Sequence, residues 1–179
     1  MNDSKISVRY SRALFELALE KNVIDDVYND MIWISEVSST PEVKDLLNSP
    51  VIPPSKKQSV LRAVFSKNVN KLSMSLIDMV VMNGREKYIP AIARVFRHET
   101  MKYKGITEVI LTTAVKVDEK IKDQISGLVA ESFGTKVELK EVVDSEIIGG
   151  FILRIDDNYL DASIRNKLHK IEKELKAGI

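Results

Sequence analysis

Cysteine is absent from this 179-residue chain. That removes disulfides, thiolate nucleophiles and cysteine-ligated metals, and it fits a reducing compartment. Histidine is scarce. The two copies, His98 and His169, stand in no spacing such as His-Glu-x-x-His that would hold zinc. Each lies among charged neighbours in a predicted helix, where a solvated histidine is the plain reading. No apolar run approaches the ~20 residues that span a bilayer, and Met1 to Tyr10 lacks the basic-then-apolar form of a signal peptide. A soluble chain that meets a membrane only through a partner is expected. Excess charge is missing as well. With 27 basic residues against 26 acidic ones, the net charge is +1, and the basic excess of a nucleic-acid binder is not visible.

The usual chemical constellations are missing too. Gly134-Thr135-Lys136 has the wrong order for a phosphate loop and lacks the earlier glycine, so Gly134 reads as a helix stop. The carboxylate pairs Asp25-Asp26 and Asp156-Asp157 fall at a helix start and a turn, where acids are favoured structurally. No catalytic residue, cofactor, metal or small-molecule substrate is expected.

What is present is an ordinary folded composition, 44% hydrophobic and 30% charged, in a length that suits one domain or two small ones. Residues 1–104 read as six short helices packed as a bundle. Ser4 can cap the first, which runs to about Lys21 and stops at Asn22. The second spans about Ile24 to Ser38, and the third, short, starts at Pro41. After the three prolines of residues 48–54 come helices at about Ser55–Phe65, Asn70–Met82 and Tyr88–Lys104, the last two separated by Asn83-Gly84.

From residue 105 to 179 the pattern becomes α+β. Thr107–Val115 is β-branched and reads as a strand. Asp118 caps a helix to Phe133, with Ile121, Ile125, Leu128 and Val129 inward. Lys136–Val143 alternates and then slips near Glu141, as a bulge or an early end would produce. Gly149-Gly150 opens a strand at Phe151–Ile155, Asp157-Asn158 turns it into Tyr159–Asp161, and Ser163 caps a final helix striped by Ile164, Leu168, Ile171 and Leu175.

Two helices carry more apolar surface than one core needs. On a wheel of 100° steps, apolar residues of the first helix, Tyr10, Ala13, Leu14 and Leu17 among them, cover about two-thirds of the circumference, against the ~100° of an ordinary amphipathic helix. The fifth helix is apolar nearly all round and carries Met74, Met79 and Met82, whose flexible thioethers suit adaptable surfaces. Either both helices are central in the bundle, or they form a groove for an amphipathic helix.

Several segments resemble the delta subunit family of bacterial and chloroplast ATP synthases, which includes the mitochondrial oligomycin-sensitivity-conferring protein. They are Arg9 to Ala18 (RYSRALFELA), Asn83-Gly84-Arg85, and above all the block Ile147 to Ile155 (IIGGFILRI) followed by Asp161 to Leu168 (DASIRNKL). Ala162 and Asn166 replace family glycines, and Lys167 replaces an arginine. The resemblance covers essentially the whole chain. It implies a non-catalytic peripheral-stalk connector on the cytoplasmic face of a bacterial inner membrane. The helical domain would hold the N-terminal helix of an alpha subunit, with Tyr10, Ala13, Leu14 and Leu17 as one wall and Leu76, Met79, Val80 and Asn83 as the other. The second domain would meet the C-terminal end of the b-subunit stalk through Phe151, Leu153, Ser163, Ile164, Arg165 and Leu168, with Gly149, Gly150 and Asp161 completing the signature. For the glycines, a backbone role is preferred to direct binding.

Two other functions would each leave a signature in the sequence. An RNA-binding or ribosome-associated module would want a Gly-x-x-Gly clamp, which Gly149-Gly150 is not. A small hydrolase would want a nucleophile with its base, and none is found.

Overall fold

A computed structural model describes residues 5–155 and 158–177. The expected Ser4 cap, the Asp156-Asp157 pair and the first half of the Asp157-Asn158 turn lie outside the described residues. The chain divides into two compact units, one up to Thr100 and one from Met101.

The first unit contains α1 (Lys5–Glu20), α2 (Ile24–Val37), α3 (Pro41–Asn48), α4 (Pro54–Phe65), α5 (Lys71–Met82) and most of α6 (Ile89–Tyr103), with a 3-10 turn at Glu86–Tyr88 before α6. Local chemistry sets the ends. Asn22 takes a left-handed φ of 53° after α1, as a short polar side chain tolerates. Pro41 and Pro54 open α3 and α4, where the missing N–H costs nothing. The Asn70 side chain accepts from the Leu72 N–H at 2.9 Å and caps α5. Leu14, Met31, Ile34, Phe65, Ile77 and Phe96 are all at most 2% exposed and form the centre of the core. Trp33 stands edge-on to Phe65 at 5.2 Å.

Two buried polar contacts tie this unit together. Asp30 of α2 accepts from the Asn70 N–H and the Ser73 hydroxyl at the start of α5. Lys57 of α4 donates to Glu86 and to the Leu47 carbonyl, and both charged residues are under 9% exposed. A charge so placed is tolerated only because it is paired.

The second unit is α+β. It contains β1 (Ile106–Thr113), α7 (Glu119–Phe133), β2 (Lys136–Val143), β3 (Phe151–Ile155), β4 (Asn158–Asp161) and α8 (Ile164–Ala177). The sheet order is β2-β1-β3-β4. The β1/β2 pair is parallel across the α7 crossover, and the other pairs are antiparallel. Thr107, Val109, Leu111 and Thr113 alternate as the buried face of the central strand.

Two sequence expectations fail here. The β1/β2 register runs unbroken from Ile106↔Lys136 to Thr113↔Val143, so there is no bulge near Glu141. The apparent slip arises because an acid occupies an inner-face position: Glu141 binds Lys122 of α7 at 2.7 Å and accepts from the Val117 N–H at 2.7 Å. The α7 stripe is also rotated. Val129 is buried, but Ile121 and Leu128 are 46% and 66% exposed, because the paired Lys122 takes an inner position. Gly134 ends α7 at φ 63°. No helix among the described residues is long and apolar enough to cross a membrane.

Candidate functional site

The first helix settles onto the core by a narrow stripe. Ser7, Ser11, Leu14 and Ala18 are its buried residues, mostly small, which lets its backbone lie close. The flank beyond Ser11 is occupied: Phe15 meets Phe96 edge-on at 6.1 Å, and Ser11 donates to Glu99 at 2.8 Å, both partners being on α6. The opposite flank carries Tyr10, Ala13 and Leu17. There Tyr10 is half-buried, Ala13 is exposed and Leu17 is 42% exposed.

The fifth helix shows the same asymmetry. Ser73, Ile77, Val80 and Val81 face the core. On one flank Asp78 is held by Arg62 and Gln58 of α4, at 2.9 Å each. Burial works against the Asp78 charge, but the bonds from Arg62 and Gln58 outweigh it and leave the carboxyl below its ordinary range. The flank away from α4 carries half-buried Leu76, Met79 at 54% exposure, and exposed Asn83.

These two open flanks belong to helices in contact. Arg85, just past α5, reaches the Tyr10 hydroxyl at 3.2 Å and lies 5.7 Å from that ring's centre. Leu14 and Val80, named with the walls from sequence, are 2% and 0% exposed and lie beneath the surface, in the core. Asn83 donates its amide to the Met79 carbonyl at 2.7 Å, so it caps its own helix. Of the residues named from sequence, Ala13, Leu17 and Met79 are the accessible apolar groups, with half-buried Leu76 packed against the core beside them and Tyr10 and Arg85 in contact with each other. Arg85 belongs to the Asn83-Gly84-Arg85 turn, and its reach to Tyr10 across 75 residues has no local sequence signal.

In the second unit, the signature residues build the start of α8. The Ser163 hydroxyl accepts from the Asn166 N–H at 3.1 Å, a standard N-terminal cap. Asp161 accepts from the Ser163 N–H at 2.9 Å, and bonding from Ser163 (side chain, then N–H) holds its carboxyl below the ordinary range. Asn166 also donates its amide to the Asp161 carbonyl at 3.2 Å, a bond that glycine could not make.

Gly149 and Gly150 lie against this cassette. The Ile164 N–H donates to the Gly149 carbonyl at 3.0 Å, and the Ala162 N–H to the Phe151 carbonyl at 2.9 Å. Gly150 has φ +75°, and a Cβ there would stand 2.4 Å from the Ala162 carbonyl oxygen. Leu153 is half-buried in the sheet. Phe151, Ile164, Arg165 and Leu168 are exposed, the first at 39%.

Asp25 and Asp26 sit in the first turn of α2. His169 lies 3.9 Å from Glu172 on the exposed face of α8. Among the described residues, no cluster of three or more histidine, aspartate or glutamate side chains is placed to hold a metal ion.

Comparison with known proteins gives concordant matches. The family model described as ATP synthase delta (OSCP) subunit matches residues 6–175. ATP synthase subunit delta of Christiangramia forsetii is 36% identical, over 98% of this chain and 96% of that protein. The subunit of the same name from Flavobacterium psychrophilum is 32% identical, over 98% and 99%. A chain of the Toxoplasma gondii mitochondrial ATP synthase hexamer superposes with a TM-score of 0.75 over 96% of this chain and 98% of that one; at 22% identity, that likeness concerns the fold.

Proposed function

The chain belongs to the ATP synthase delta (OSCP) subunit family, and from that premise we propose that it joins two helical partners, one at each unit. As a member of that family it is a structural connector within the ATP synthase, a complex associated with the membrane. Helices α1–α6 act as one six-helix bundle, and its α1/α5 groove takes the N-terminal helix of the alpha subunit. The second unit takes the C-terminal end of the b-subunit stalk. Neither unit catalyses a reaction. The complex is bacterial, with this subunit on the cytoplasmic face of the inner membrane.

The observation that carries the groove assignment is the pairing of open flanks. Leu17 and Met79 are 42% and 54% exposed on helices whose other flanks are filled. An amphipathic helix laid there would bury apolar surface at ~25 cal/mol per Å². A connector in a rotary machine must resist torque while remaining chemically inert, which suits a chain made of packed helices and a small sheet.

The test is calorimetric titration with a synthetic peptide of the cognate alpha-subunit N-terminus. Leu17→Asp and Met79→Asp should each weaken binding at least about tenfold, the loss of ~1.4 kcal/mol, with the thermal midpoint nearly unchanged. Leu14→Asp is not a suitable probe, since a charge at a 2% exposed position unfolds the unit instead. Unaltered affinity in both exposed variants would remove the groove from α1 and α5.

A further inference from the structure

Helix α8 is fastened at its first turn, and beyond it no described residue buries its apolar side chains. Ile164, Leu168, Ile171 and Leu175 are 42%, 53%, 53% and 67% exposed. Their spacing of four, three and four residues is that of a heptad seam, which asks for another helix. An isolated helix of 14 residues is marginal in water, so the seam gains from cover.

The charges beside the seam identify what fits. With Leu168 and Leu175 at a positions and Ile164 and Ile171 at d, the flanking e and g positions are Arg165, Lys167, Glu172 and Glu174. The first half of the helix is flanked by bases and the second half by acids. An antiparallel copy of the same helix then sets Leu175 over Ile164 and Ile171 over Leu168. It sets Glu172 against Arg165 and Glu174 against Lys167. Two-fold symmetry doubles each relation. A parallel pair offers only Lys167 against Glu172, and it stacks leucine at a and isoleucine at d, a combination that disfavours two strands. It also aligns the helix dipoles and brings both sheet units to the same end, whereas the antiparallel pair separates them by about 20 Å of helix.

We propose that the free chain pairs with a second copy of itself through α8, antiparallel, and that any other helix docking on this seam must first displace that copy. The intrahelical contact of Glu172 with Lys176 is exchanged for the one with Arg165 of the second copy. Only four apolar layers are available, so the pair is weak and its population depends on concentration. The pairing rests on α8 alone and holds whether or not the stalk reading does.

Sedimentation equilibrium of the whole chain tests it. The wild type should show a concentration-dependent monomer–dimer equilibrium. Exchanging one basic and one acidic flank in R165E/E174K leaves net charge unchanged and favours the helix dipole. It spoils every antiparallel charge pair and touches no parallel one. The dimer dissociation constant should rise at least about tenfold, with the circular dichroism of the helices retained. Adding K167E/E172K to that variant restores all four pairs and should restore the dimer. A wild type that stays monomeric up to about 1 mM, the weak end of specific association, overturns the proposal. So does an R165E/E174K chain that pairs as well as wild type, or a fourfold variant that fails to recover.

Discussion

Gly150→Ala offers a change whose cost can be worked from two separate contributions. Gly150 has φ +75°, a conformation costing an alanine about 1–2 kcal/mol. The new Cβ would also stand 2.4 Å from the Ala162 carbonyl oxygen and 3.2 Å from the Ser163 Cα. Both are backbone atoms, so the neighbour cannot turn aside as a side chain could. Relief requires the start of α8 to move away from β3, which strains the Ala162 N–H to Phe151 carbonyl and Ile164 N–H to Gly149 carbonyl bonds. Each is worth about 1 kcal/mol, so with the conformational contribution the total cost is about 3–4 kcal/mol. Gly105→Ala is the matched control, with φ +65° and nothing within 4 Å of its Cβ, and should cost only the conformational contribution of about 1–2 kcal/mol. Urea unfolding followed by far-ultraviolet circular dichroism measures both. Trp33, the chain's one tryptophan, lies in the first unit, and its fluorescence transition should hardly move in either variant. Equal losses in the two variants, within about 0.5 kcal/mol, would refute the claim that backbone contact rather than φ alone demands glycine at 150.

Removing one member of the buried Lys57–Glu86 pair, as in Lys57→Met, should destabilise the first unit by about 3–5 kcal/mol, read from the Trp33 transition. The double variant K57M/E86L should recover most of that, and failure to recover would mean that shape rather than charge was lost. The Lys122–Glu141 contact sets a pH window for the second unit. Bonding from Lys122, then from the Val117 N–H, lowers the Glu141 carboxyl below its ordinary range, against a smaller opposing effect of burial. A lowered folded-state value means stability present above the unfolded value of about 4.3 and lost as pH falls through the folded one. For Lys122 the sign is reversed. Its value is raised, chiefly by Glu141 and then Glu119, so its contribution is present below about 10.4 and disappears at higher alkaline pH. Glu141→Gln should flatten both limbs of a stability-against-pH curve; unchanged limbs would show that the contact carries no linkage.

Helix ends were legible in the sequence because their signals are local. Pro41, Asn22, Gly134 and Ser163 each act on the backbone within a few residues, and each stands at the end predicted for it. The sheet was nearly as legible from β-branched runs, except where Glu141 on the inner face mimicked a slipped register. That exception is physical, since its partner Lys122 lies 19 positions away and no periodicity announces a buried ion pair. The surfaces were harder to read. Leu14 and Leu17 are chemically identical and one helical turn apart, yet only the first is buried. Which flank of α1 is filled depends on Phe96 and Glu99, more than 80 residues away. The stripe of α8 was plain in the sequence, but that no described residue covers it is a fact of tertiary structure.

A connector has to hold both partners at once, and sedimentation velocity of a three-component mixture measures that directly. The whole chain is combined with the alpha-subunit N-terminal peptide and with the C-terminal segment of the b-subunit stalk, each labelled with its own dye. A single boundary carrying both dyes, with the peptide lost in Met79→Asp and the stalk segment lost in Leu168→Asp, is the predicted result. Two ligands that exclude one another, or a folded chain that binds neither, would contradict the connector role.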